Sequence, residues 1–300
     1  MQFEKWQACG NDFIIVERKL YKSMIKGLCD RHFGIGADGV LAVLPPRPYA
    51  KKEHADIRMI VYNKDGSKAE MCGNGIRCVA RYYAQRSGKN EQLIDTDSGV
   101  RHVEVEDEAA MVDLALPQIA WAEDMKIFKK VYRAIAVDVG NPHCVLYTDD
   151  VRGGEVERVG SKFSATRSLF PYGANIEFVT KANIFNKTIR VRVWERGVGR
   201  TLGCGTGAVA SAWAMLAMGE CEGNQVFVTL DGGDVDVRVY KDHVTLTGMA
   251  LPTFKGEIDD KVLDSWYSEA VEQHRQDPNE ELDDDSDFSD VNYGLGDDEE

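Results

Sequence analysis

The chain carries one internal repeat, and that repeat governs how it can fold. The stretches "YNKDGSKAEMCGNGIRCVARY" (62–82) and "VWERGVGRTLGCGTGAVASAW" (193–213) align without gaps about their cysteines. Asn63 lies nine residues before Cys72, and Glu195 lies nine before Cys204. The echo continues outside these stretches. "GNDFIIV" (10–16) resembles "GNPHCVL" (140–146), and "GAD" (36–38) resembles "GAN" (173–175). "DSGVRHVEVEDEAAMVDLALP" (97–117) resembles "DGGDVDVRVYKDHVTLTGMALP" (231–252). Four landmarks thus recur in order, at offsets of 130 to 137 residues. Solenoids repeat every 20–50 residues or so. A single repeat at this longer spacing means a duplicated domain.

Each half reads as strands, one principal helix, then more strands. "DIRMIVY" and "TIRVRVW", rich in β-branched residues, precede the two cysteine turns as strands. After Cys72, Ile76, Val79, Ala80 and Tyr83 keep helical spacing, and Gly88 supplies a stop. After Cys204, "AVASAWAMLAM" is apolar all round and stops at Gly219. A helix with no polar face must be enclosed. The expected fold is therefore α/β in the broad sense (α+β): two pseudo-symmetric halves, each a mixed or antiparallel sheet wrapped around a central helix. The halves are expected at 1–117 and 118–258, with a helical extension over 259–276. In that extension Ile258, Val262, Trp266 and Ala270 recur every four residues, a stripe that would pack on a domain surface.

The formal net charge of −14 is concentrated at one end. Residues 277–300 hold 12 acidic side chains and no Lys or Arg, so disorder is expected there and the rest is nearly neutral. That body shows no basic stripe for nucleic acid. No apolar run of about 18 residues is present for a membrane span. "MQFEKWQACGNDFIIV" lacks the charged-then-apolar layout of an export signal. A cytoplasmic protein is expected. The seven cysteines are odd in number and form no C-x-x-C pair, which argues against a disulfide framework and a zinc site. No His/Asp/Glu cluster has metal-ligand spacing. "GIGADG" (34–39) matches G-x-G-x-x-G, but it follows a helical pattern and leads into a strand, the reverse of a dinucleotide fingerprint.

The chemistry lies in the two Cys-Gly turns. Gly73 and Gly75, like Gly205 and Gly207, let backbone approach a ligand closely. Free N–H groups in a helix's first turn favour an anion, and the same dipole favours thiolate at a neighbouring cysteine. One such cysteine would be read as a buried cap. Two, in duplicated frames, point to function. If the halves face each other, both helix mouths hold one carboxylate, and the sulfurs flank its Cα on opposite faces. One thiolate removes a proton and the opposite thiol delivers one, which inverts a stereocentre. Asn11, Asn63, Asn141 and Asn175 lie in echoed segments and are candidates to hold the substrate. Glu195 and Arg196 could bind a distal ammonium and carboxylate. His143, in "GNPHC", is the histidine most suited to a role.

The motifs "ACGNDF", "GIGADG", "MCGNGIRC", "GNPHC", "GANIEFV", "ERGVGRTLGCGTGA" and "TGMA" occur in order over residues 1 to about 258. In this set the chain resembles the diaminopimelate epimerases. The resemblance implies a cofactor-independent enzyme that interconverts LL- and meso-diaminopimelate for lysine and cell-wall synthesis. It implies Cys72 and Cys204 as the catalytic pair, supported by His143 and Glu195. Substrate contacts carry over to Asn11, Asn63, Gly73, Asn74, Asn141, Asn175, Glu195, Arg196, Gly205 and Thr206. A homodimer is also implied. The nearest rival is a two-cysteine proline or hydroxyproline racemase, but that group typically reads Cys-Gly-His-Gly where this chain has "CGNG". A non-catalytic binding protein would not need both cysteine turns intact.

Overall fold

The computed structural model describes residues 1–151, 154–182 and 187–276; the acidic segment 277–300 lies outside them. The two halves repeat strand for strand. In the first, Gln2–Ala8 pairs antiparallel with Asn11–Val16, which runs parallel to Gly39–Leu44, which in turn pairs antiparallel with Ile57–Asn63. In the second, Lys130–Asp138, Pro142–Tyr147, Asn175–Lys181 and Thr188–Glu195 repeat that order and those directions. Ile57–Asn63 then runs parallel to Glu91–Thr96, followed antiparallel by Gly99–Glu106 and Ala109–Ala115. Thr188–Glu195, Gln225–Leu230, Gly233–Val239 and His243–Met249 do the same.

Two pairings join the halves. Ala109–Ala115 pairs antiparallel with His243–Met249 at the pseudo-symmetry axis. Gln118–Ile127 pairs with Lys130–Asp138, while Leu251–Glu257, its counterpart, returns to Gln2–Ala8. The described strands therefore form one continuous mixed sheet of 18 strands. The second half's last strand lies beside the first strand of the chain, which closes an edge that would otherwise stand open.

The sheet wraps two helices, Gly73–Ser87 and Gly205–Ala217, as the all-round apolar pattern requires. Their buried faces share one core: Ile76 and Val79 from one and Ala208 and Val209 from the other join a cluster that includes Val112 and Leu246. Gly88 ends the first helix in the left-handed region, at φ 70°, where its N–H closes on the Ala84 carbonyl. Gly219, at φ 72°, follows the second.

Outer layers cover the other sheet faces. Helix Glu155–Ser164 packs on the second half through Val156, Val159 and Phe163. Helix Lys22–Cys29 packs on the first half, and helix Asp260–Gln276 lies over it. The extension is a surface helix, but its buried stripe differs from the expected one. Val262 is exposed, whereas Leu263 is fully buried, Trp266 lies against Gly27, and Tyr267 stacks on Tyr21 with ring centroids 4.3 Å apart. The first strand and the underlying helix set the rotation of this helix, through contacts that spacing within the segment does not encode. The Ala270 side chain lies outside the described residues.

Candidate active site

Each half delivers a helix mouth to the same place. Short strands, Lys68–Ala69 and Gly199–Thr201, fold back on Ile57–Asn63 and Thr188–Glu195 and lead the chain into the cysteine turns. Cys72 and Cys204 are the N-cap residues of the two central helices, both with extended backbone. Cys72 Sγ accepts the Gly75 N–H at 3.3 Å, and Cys204 Sγ accepts the Gly207 N–H at 3.4 Å. Sulfur thus takes the place that a Ser, Thr, Asp or Asn oxygen usually fills.

The mouths abut. A Cβ added to Gly205 would lie 3.3 Å from the Gly73 Cα, and one added to Gly73 would lie 3.5 Å from the Gly205 Cα. A side chain would be tight at Gly205, where Leu246 also comes within 3.1 Å, whereas at Gly73 it would make ordinary contact. A cavity of about 620 Å³ opens at this junction. Cys72 is half-buried and Cys204 is nearly enclosed.

Most of the residues expected from the sequence line this cavity. Asn11, Asn63, Gly73, Asn74, Asn141, Asn175, Glu195, Arg196, Gly205 and Thr206 join both cysteines there. Asn74 ties the halves together: its Nδ2 donates to the Gly203 carbonyl at 3.2 Å, and its Oδ1 accepts from Arg77 Nη2 at 2.8 Å. Asn175 Oδ1 accepts the Arg196 backbone N–H at 2.9 Å. Arg196 Nη1 donates to the Tyr172 carbonyl at 3.1 Å. Glu195 accepts the Thr201 hydroxyl at 2.5 Å. Asn11 Oδ1 is buried without a partner among the described residues, which leaves an acceptor for a ligand donor. His143 does not reach the cavity. It is fully buried one layer behind, where its Nε2 meets Asn141 Oδ1 at 3.0 Å.

The ionisation of the thiols departs from expectation. The sequence suggests a thiolate at a helix mouth, yet both thiols are pushed up. Burial is the largest cause for Cys72, where the Gly75 N–H lowers and the Glu195 charge raises. For Cys204 burial leads again, followed by Glu195 and Glu177, and the thiol stands well above its ordinary value. Desolvation here outweighs the N–H groups of the first turn. Glu195 is itself raised, first by burial and then by Glu177, against the Thr201 hydroxyl bond.

Sequence reasoning missed two groups. Arg101 lines the cavity, anchored by its Nη2 to the Ser98 carbonyl (2.8 Å) and hydroxyl (3.1 Å), with no acidic partner among the described residues. Glu177 lies behind Cys204, fully buried, its Oε1 at 2.7 Å from His143 Nδ1. A carboxylate in the middle of the apolar strand "NIEFVT" is the signal that could have marked it.

The sequence profile described as "Diaminopimelate epimerase" matches residues 3–118 and 135–252. The chain belongs to the diaminopimelate epimerase family. The diaminopimelate epimerase of Carboxydothermus hydrogenoformans is 37% identical over 281 residues, covering 86% of this chain and 99% of that one. That of Nostoc punctiforme is 35% identical over 291 residues, with the same coverage. Among solved structures, a probable proline racemase from Agrobacterium radiobacter superposes with a TM-score of 0.65 at 13% identity, covering 86% of this chain and 92% of that one. A PhzF-family phenazine biosynthesis protein from Bacillus anthracis superposes with a TM-score of 0.64 at 17% identity, covering 86% and 99%. These two likenesses show the fold. The diaminopimelate epimerase reading rests on the sequence relatives, which are isomerases acting as amino-acid epimerases.

Proposed function

We propose that this chain interconverts LL- and meso-diaminopimelate, with Cys72 and Cys204 as the two acid/base groups. One observation carries the reading: two duplicated, cysteine-capped helix mouths abut across one cavity. The carboxylate next to the reacting carbon lies on the N–H groups of both first turns. One sulfur, as thiolate, takes the Cα proton. The other, as thiol, gives a proton to the opposite face, so the carbon inverts and the proton count balances. Fixed N–H dipoles stabilise charge on the carboxylate as the carbanion forms, so no cofactor is called for. Since burial raises both thiols, one must lose its proton before the first step. Glu195, whose charge acts on both, is suited to receive it. Arg196 holds the distal carboxylate, and the asparagines complete the contacts.

In this reading the chain divides after Pro117, works as a homodimer in the cytoplasm, and serves lysine and cell-wall synthesis. No helix among the described residues is long and apolar enough to cross a membrane. The test is incubation with LL-diaminopimelate in deuterated water, following configuration and deuterium at Cα. Cys72→Ala and Cys204→Ala are each expected to lose at least about a hundredfold in turnover while staying folded. Full activity in either variant overturns the two-thiol reading.

A further inference from the structure

The duplication supplies an internal control for every core position, and at one pair of positions the halves disagree. Leu41 stands opposite Val61 in the first half, and Glu177 stands opposite Val193 in the second. Phe13 and His143 are likewise equivalent, on the strands that run parallel to these. Phe13 and Leu41 both belong to the apolar core. The same framework therefore closes with hydrocarbon in one half and with an acid and an imidazole in the other. Folding does not demand the polar pair, and burying it costs several kcal/mol before its hydrogen bond is counted.

The neighbours of Glu177 show what the pair touches. Its strand alternates, with Ile176 and Phe178 packing into the outer layer and Val179 into the inner core. Glu177 points inward like Val179, towards helix Gly205–Ala217. A Cβ added to Gly207 would lie 2.7 Å from Glu177 Oε1. Gly207 is the residue whose N–H holds Cys204 Sγ. In the first half a Cβ on Gly75 would instead meet Leu41 Cδ2 at 2.9 Å. One helix mouth is thus backed by leucine and the other by a carboxylate. Glu177 Oε2 is buried with no partner among the described residues, so that charge is only partly answered. Through His143 the carboxylate also reaches Asn141, a wall of the cavity.

We propose that Glu177 is a positioning residue that makes the two thiols unequal: it holds His143 against Asn141 and sets negative charge behind the Cys204 turn, so that Cys204 keeps its proton while Cys72 gives its proton up first. The proposal rests on the two-thiol reading. The titratable and charged groups around Cys204 are Glu195 and Arg196 at the end of their strand, Glu177 and His143 beneath, Cys9 against Gly203 with Arg77 beside it, and Cys72, Lys68, Glu70 and Arg101 on the cavity wall. Glu195 raises both thiols; Glu177 adds to the rise at Cys204, where the Thr206 hydroxyl opposes it, while Arg77 lowers Cys72. Near a negative charge a thiol ionises less readily, and near a positive one more readily.

The experiment follows alkylation of each cysteine by iodoacetamide as a function of pH, with peptide mapping, in the intact protein, in Glu177→Gln and in the double variant His143→Phe/Glu177→Leu. The double variant copies the first half's packing and guards against a single change that fails to fold. In the unaltered protein Cys72 is expected to react at lower pH than Cys204. In either variant the Cys204 profile is expected to move down by about one pH unit or more, with Cys72 little changed. Turnover should fall about tenfold or more, and KM should rise as well in the double variant, because Asn141 loses the His143 contact that holds it at the cavity wall. Coincident profiles in the unaltered protein, or a Cys204 profile that stays put in both variants, overturns the proposal. These readings need no turnover, so they stand apart from failure of the two-thiol mechanism, which active Cys72→Ala protein would reveal.

Discussion

Arg196 shows how much one side chain can decide. Its backbone N–H is fixed by Asn175 and its Nη1 by the Tyr172 carbonyl, which leaves the rest of the guanidinium fork towards the cavity. A planar fork binds a carboxylate through two parallel hydrogen bonds, and a lysine ammonium does not. Arg196→Lys should therefore weaken diaminopimelate binding about tenfold, roughly 1.4 kcal/mol, while the two thiols keep their reactivity. Calorimetric titration of Arg196→Lys in a Cys72→Ala background measures this without turnover. Unchanged affinity would remove Arg196 from the site. Asn11 offers the complementary case: its Oδ1 has no partner among the described residues, so a substrate ammonium can satisfy it without displacing an existing bond.

At the scale of elements, the helix Asp260–Gln276 is more than a surface ornament. It lies beyond the family match, which ends at 252, yet it covers the helix that leads into the "GIGADG" loop. The N-terminal amine donates to the Ile258 carbonyl at 2.7 Å, so the first and last described segments are tied where this helix begins. Leu263 is 1% exposed. Leu263→Ala should cost about 2–5 kcal/mol, read as a lower midpoint in urea unfolding with an unchanged slope. Turnover at 25 °C should hold, since no residue of the helix lines the cavity. A midpoint equal to that of the unaltered protein would mean the helix is not part of the cooperative fold. The part of this helix that the sequence resolved was its existence, from a four-residue apolar period. The choice of Leu263 over Val262 as the buried residue depended on the shape of the surface beneath.

For the whole molecule, the decisive feature is that neither half makes a site alone. The thiols face one cavity because Ala109–Ala115 and His243–Met249 hold the halves together, and because Leu251–Glu257 returns to pair with Gln2–Ala8. Cys72 and Cys204 immediately precede the two glycines that touch. Mild oxidation is therefore expected to form a Cys72–Cys204 disulfide, with activity lost and then recovered on reduction. Since burial raises both thiols, and thiolate is the reactive form, cross-linking should quicken as pH rises. Bound substrate should protect by filling the space between the sulfurs. Peptide mapping decides the matter: inactivation without a link between the Cys72 and Cys204 peptides removes support for their closeness.

Sequence patterns alone carried the duplication, the enclosed helices, the cysteine pair and about half of the residues that line the cavity. These are written in patterns local to a turn or repeated between halves: a glycine after each cysteine, an apolar helix with no polar face, an asparagine in each "GN" motif. How the halves share strands depended on long-range contacts, because Leu251–Glu257 finds its partner in the first strand of the chain. Such contacts also decided the protonation of the thiols. A helix mouth favours thiolate, but desolvation comes from everything packed around Cys72 and Cys204, from both halves at once. Glu177 belongs to the same class. Its meaning lies in Gly207 and His143, which come from separate segments and meet it only when the sheet has closed around its helix.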